Sequence, residues 1–273
     1  MRLSIHARRL IEAGYESPAE GLADLGLHRV ELEATQACDL MRLGAPTLPR
    51  VYVGNEAGAR TYRAHLYDEG VQASALSLNW RLGGSYAGEH VQWAANIVRA
   101  AGVIGATVVR LESPLSERDA PVPSPLMRAF ADAVGEMLAR TEGSNAAIAL
   151  SHGLGLENWR AAIELLESLD SDRCGIALMP RDLCSGDAPI SSTRDVIRAL
   201  APYVRHVECA TGWGEPPTLE TGDIDYAWVA SILGGVGYSG ALSIAADEEG
   251  TRADSPDALR RDVAHMKDIL GEH

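Results

Sequence analysis

Acidic and imidazole side chains recur in and just after short apolar runs of this chain, and their types suit proton transfer. Glu208 lies in VRHVECA (204 to 210), Glu112 ends ATVVRLE (106 to 112) and His152 ends AAIALSH (146 to 152). A carboxylate working with a second carboxylate or an imidazole can take a proton from one carbon and return it to its neighbour. Around them stand groups suited to holding a polar small molecule. Asn79, Trp80 and Arg81 combine an aromatic face with hydrogen-bond donors, and Glu31, Arg181, Trp213 and Asp247 add further polar contacts.

Each candidate also has a plainer reading. Glu208 sits between Val207 and Cys209, so it is enclosed, and an enclosed acid is either functional or paired with Arg or Lys. His152 precedes Gly153 and fits a loop cap, while Glu112 fits a salt bridge near Arg110 or to Arg81. Trp80 fits packing, and Asp247-Glu248-Glu249 fits a solvated loop.

For these residues to meet, the runs that carry them must end on one rim. Eight runs read as strands: residues 2–6, 28–33, 71–79, 106–112, 146–152, 174–179, 204–210 and 240–246. Between them lie patterns with apolar residues recurring at three and four, which predict helices. Expected caps are Ser192 or Thr193 before RDVIRAL, Asp223 before IDYAWVASIL, and Ser255 with Pro256 before the last helix. Nearly all-apolar strands, each followed by a helix, imply a parallel sheet covered by helices. Eight such units predict a closed (β/α)₈ TIM barrel, one domain over residues 1–273, with active-site loops leaving the strand C-termini. The rival is a doubly wound fold, but no GxGxxG follows the first strand.

Composition narrows the partners. With 24 basic and 38 acidic residues the net charge is −14, which argues against nucleic acid and against an anionic membrane surface. No run approaches the roughly 18 apolar residues of a membrane span, and the N-terminus lacks a leader's apolar core, so a cytoplasmic protein is expected. The four cysteines form no CxxC pair and the eight histidines no HExxH or HxH, so reduced, mostly buried thiols are expected and no local metal motif exists.

The segments GLHRVELE, AGVIGATVVRLES and, above all, GDIDYAWVASILGGVGYSGALSIAAD (222 to 247) resemble the xylose-isomerase-like TIM barrels. This sugar phosphate isomerase and epimerase superfamily also holds inosose dehydratases and endonuclease IV relatives. The resemblance implies a divalent metal at the barrel mouth, held by a glutamate ending the fifth strand, an aspartate ending the sixth, a histidine on the seventh and a glutamate ending the eighth. Here the aligned residues are Leu150, Met179, Glu208 and Ala245. Three supply no hard donor and the fourth is exchanged, so the usual metal site is expected to be gone and no cofactor is expected. Glu31 matches the family's second-strand glutamate, a positioning or structural acid.

Three readings follow. A metal-free isomerase or epimerase would use Glu208 with Glu112 or His152 as acid and base, its enediolate stabilised by Asn79, Arg81 or Arg181. A metal could return on a relocated set, Glu112, His152, Glu208 and Asp247. Or the barrel binds a sugar-like molecule without catalysis, as an accessory protein. The expected partner is a small sugar- or polyol-like molecule; a homodimer or an accessory-subunit role is the expectation by analogy.

Overall fold

A computed structural model describes residues 1–81, 88–112, 125–151, 159–183, 190–210, 218–222, 224–246 and 255–272, with side chains described except at 79–81, 125–127 and 190–192. Eight strands close a parallel barrel: β1 Arg2–His6, β2 Arg29–Ala34, β3 Gln72–Arg81, β4 Val108–Glu112, β5 Ala147–Ser151, β6 Cys174–Leu178, β7 Val204–Cys209 and β8 Ala241–Ile244. Each matches a predicted run. An antiparallel hairpin that the sequence pattern did not announce, Asp39–Leu40 with Val51–Tyr52, follows β2. Two-residue strands are too short for any periodicity to register.

Helices alternate with the strands and bury the sheet's outer face. Leu3, Ile5, Val30, Leu32, Val109, Leu111, Ile176, Leu178, Val207, Leu242 and Ile244 all join the main core beneath them. The last helix, Pro256–Leu270, starts as expected: Ser255 Oγ accepts from the Ala258 amide, with Pro256 in the first turn. Two expected caps move. Asp225, not Asp223, caps Tyr226–Gly235 by accepting from the Trp228 amide. The helix expected to begin after Ser192 or Thr193 already begins at Ile190, and Thr193 Oγ1 donates instead to the Leu183 carbonyl. Cys38, Cys174 and Cys209 are free and buried, as expected; Cys184 lies outside the described residues. No helix among the described residues is long and apolar enough to cross a membrane.

The strand registers stack inward side chains in layers of four drawn from alternate strands. Ser4, Ala75, Ala149 and His206 form one layer; Glu31, Arg110, Ala177 and Ser243 the next; His6, Ser77, Ser151 and Glu208 the one below the mouth. Polar groups thus gather on the β7-β8-β1-β2 side, and small apolar ones face them: Ala75, Val108, Ala149 and Ala177 form a separate internal cluster.

One glycine is required by this closure. A Cβ on Gly175 in β6 would stand 2.2 Å from the Tyr203 carbonyl oxygen and 2.5 Å from Arg205 Cγ, at the start of β7. Gly175→Ala is expected to cost at least about 1–3 kcal/mol. That predicts a fall of several degrees in Tm, at about 2–4 °C per kcal/mol for chains of this order of size; an unchanged Tm would refute the close approach.

Candidate active site at the barrel mouth

Arg110 organises the C-terminal end of the barrel. It is 6% exposed, standing in an apolar strand at the same inward parity as Glu112. Its Nε donates to Glu208 Oε2 at 2.7 Å, and its Nη2 lies 3.7 Å from Glu112 Oε1 and donates to Ser151 Oγ at 3.5 Å. The guanidinium therefore reaches from β4 across the barrel to β7. A cleft above this group is lined by His6, Glu33, Ser77, Arg110, Met179, Glu208 and Ala245, among others.

His6 ends β1 and caps the helix Ala7–Glu12: its Nδ1 accepts from the Arg8 amide at 3.2 Å. The other nitrogen, Nε2, therefore carries the hydrogen and donates to Ser77 Oγ at 3.2 Å. Burial holds the His6 pKa below its ordinary 6.5, against the pull of Glu31 and Glu33, so the ring is neutral near pH 7.

In the two layers beneath, His206 Nε2 is 3.0 Å from Glu31 Oε2, and both side chains are essentially without exposed surface. Burial pushes His206 down, but the charge and hydrogen bond of Glu31, with Glu208 adding to them, outweigh it and raise the pKa above 6.5. Burial pushes Glu31 up, and the charge and hydrogen bond of His206, with His6 and Arg110, reverse that and hold the carboxyl well below its ordinary 4.5. Below the raised pKa of His206 the pair is an imidazolium and a carboxylate. Glu31 Oε1 and Ser243 Oγ, in the same layer, have no hydrogen-bond partner among the described residues. Buried polar atoms are rarely left so, and a buried water bonded to both is expected in a high-resolution crystal structure; dry density between them would refute it.

Glu208 and Glu112, two of the residues expected to do chemistry, therefore meet on Arg110. Glu31 lies beneath the mouth on His206. Arg181 sits on the short helix Pro180–Leu183 after β6, its Nη2 donating to Met179 Sδ at 3.5 Å and its Nε 3.6 Å from Asp182 Oδ1. Asn79, Trp80 and Arg81 end β3, with Arg81 in register with Glu112; their side chains are outside the described residues, as are His152, Trp213 and Asp247. Arg110 and His206 escaped sequence reasoning as site residues. The available signal was parity: a lone arginine two residues before Glu112, and a histidine two before Glu208.

One expectation is corrected. Leu150, aligned with the fifth-strand ligand, packs in the main core under the helices, and the residue that faces the mouth is Ser151, bonded to Arg110. A shift of one residue along a strand exchanges its two faces.

The sequence model of one family, the xylose isomerase-like TIM barrel, matches residues 20–269. The chain belongs to that family. Solved structures agree: a xylose isomerase domain protein from Planctomyces limnophilus superposes with a TM-score of 0.69 at 19% identity, covering 98% of this chain and 95% of that one. An IOLI protein with a bound zinc atom gives 0.72 at 13%, covering 100% and 99%. D-psicose 3-epimerase in the presence of D-fructose gives 0.67 at 12%, covering 99% and 100%. At these identities the likeness speaks to the fold. No curated protein matches the chain by sequence.

As a xylose isomerase-like barrel, this chain can be compared with the metal-bearing pattern that the family resemblance implies. At the mouth ends of β5 to β8 stand Ser151, Met179, Glu208 and Ala245. Alanine offers no donor, a thioether is too soft for Mg²⁺ or Mn²⁺, and the Glu208 oxygen is already bonded to a guanidinium. This set does not fit a hard divalent cation, which needs several oxygen or nitrogen donors. Among the described residues, no three His, Cys, Asp or Glu side chains form a group that could hold a metal.

Proposed function

We propose that this xylose isomerase-like barrel binds a sugar- or polyol-like small molecule at its C-terminal mouth, and that the Arg110 guanidinium serves there as the fixed cation that a metal supplies elsewhere in the family. The observation that carries this reading is the 2.7 Å bond from Arg110 Nε to Glu208, at the place of the family's ligand histidine. A guanidinium needs no loading and cannot be chelated away. In the isomerase or epimerase form of the proposal, Glu208 and Glu112, or His152, take a proton from the carbon beside a carbonyl and return one to the neighbouring carbon, for an isomerase, or to the opposite face of the same carbon, for an epimerase. Arg110, with Asn79, Arg81 and Arg181 as further donors, stabilises the oxygen on which negative charge develops.

A second reading has its own support: Glu208 is 4% exposed and already paired, which suits a binding-only or accessory role in which the acid holds Arg110 in place. Two measurements separate these. Dialysed protein is expected to carry well below one Mn²⁺, Mg²⁺, Co²⁺ or Zn²⁺ per chain; about one per chain overturns both readings in favour of a relocated site built with Glu112, His152, Glu208 and Asp247. On a panel of ketoses, inososes and keto-acids, chelator-resistant turnover that falls about 10²–10⁴-fold in Glu208→Gln, with the variant shown folded by circular dichroism, supports acid–base catalysis. Saturable binding without turnover selects the accessory role.

A further inference from the structure

The other end of the barrel, away from the mouth, holds a cavity of about 560 Å³, within the usual size range of small-molecule sites. Its walls come from the first residues of the strands and the loops before them, and two of the inward residues are alanines, Ala147 and Ala241. Where TIM barrels commonly close this end with bulky branched side chains, these alanines leave space. Into it the sequence puts positive charge. Arg2 and Arg29 occupy the inward parity of β1 and β2, below Ser4 and Glu31, and Arg205 joins them from β7. No Asp or Glu among the described residues lines the cavity, although acids outnumber bases 38 to 24 in the chain.

These guanidiniums are poorly neutralised. Arg29 makes no ion pair and no side-chain hydrogen bond among the described residues. Among the described residues Arg2 pairs with one acid, Glu272, at 3.7 Å, and that carboxylate also accepts from the Leu3 amide at 3.3 Å. Arg205 is anchored by its Nε on the Asp172 carbonyl and its Nη1 on those of Pro202 and Val204. Three carbonyl anchors hold that guanidinium without cancelling its charge, so it is preorganised for an anion.

We infer that the N-terminal end of the barrel is a second binding site, separate from the mouth, for a small polyanion bearing phosphate or carboxylate groups. Planar guanidinium forks match both groups, through two parallel hydrogen bonds. Alanine walls exclude part of the surrounding water, which strengthens those contacts.

Titration calorimetry of the whole chain at low ionic strength, with inorganic pyrophosphate and, separately, citrate as probes, tests this. Saturable binding of one equivalent is expected for at least one probe: pyrophosphate alone points to phosphate esters, citrate alone to polycarboxylates. Arg29→Gln should weaken that binding about tenfold or more, the loss expected for one charged hydrogen-bond donor, and added salt should weaken it further. The Arg29 side chain makes no hydrogen bond or ion pair among the described residues, so the variant should keep the wild-type Tm. Glu208→Gln, at the far end, should bind the probe as the wild type does, so this inference stands or falls apart from the proposed activity. No saturable binding of either probe, or binding that Arg29→Gln leaves unchanged, overturns it.

Discussion

Arg110→Met is expected to destabilise the barrel by about 3–5 kcal/mol, the cost of breaking a buried ion pair by removing one member. In thermal melts this is a loss of roughly 6–20 °C, at about 2–4 °C per kcal/mol. The size follows from the contacts that the substitution removes. Glu208, bonded to Arg110 at 2.7 Å, has a side chain only 6% exposed, and Glu112 at 3.7 Å is 12% exposed, so water cannot take over the lost contacts. Methionine matches the arginine stem in length, which confines the effect to the charged head. Arg110→Lys should recover part of the loss: it keeps the charge, but one ammonium cannot span Glu208, Glu112 and Ser151 as the fork does. The decisive experiment is a double-mutant cycle with Glu208→Gln. Coupling of about 1–3 kcal/mol is expected for groups in one buried network. A coupling below about 0.5 kcal/mol, the level of independent sites, would remove Arg110 from the centre of the site and with it the proposed replacement for the metal.

Glu31→Gln should cost about 3 kcal/mol, the lower end for a broken buried pair, because His206 can shed its proton instead of remaining a stranded cation. The pH dependence is the sharper test. The folded pKa of His206 is raised above 6.5, so its contribution is complete below 6.5 and is lost as pH rises through the folded value. Glu31 has a folded pKa depressed below 4.5, so its contribution is present above 4.5 and is lost as pH falls through the folded value. The stability gap between wild type and Glu31→Gln should therefore be widest between about pH 4.5 and 6.5 and close as pH rises beyond it. His6 is buried with a lowered pKa that the charge of Glu31 partly holds up, so acidification below 6.5 destabilises both proteins through it, Glu31→Gln somewhat more than the wild type. Denaturant titrations at several pH values measure the gap directly; a gap independent of pH would mean that the two residues meet without sharing a charge.

These two predictions rest on residues of very different legibility. Glu208 could be singled out from VRHVECA because an acid between Val207 and Cys209 has nowhere polar to go without a partner. Its partner could not be named, since Arg110 lies 98 residues away along the chain. His206 and Glu31 are 175 residues apart and meet only because β7 and β2 flank β8 and β1 in the closed ring. Leu150 marks the opposite failure. Alignment alone took it for the mouth position, but the strand's pleat turns it outward and brings Ser151 in.

By itself the sequence determined the eight strands, their parallel order and the rim on which the candidate acids end, because each of those follows from local spacing: apolar runs for doubly covered strands, three-and-four periodicity for helices, caps at their starts. What only the tertiary structure decided is which side chains share a layer. Closure couples the registers of all eight strands, and one residue of shift in any of them would trade its inward face for its outward one. That coupling set Arg110 between Glu208 and Glu112, put His206 on Glu31, and opened the arginine-lined cavity at the far end.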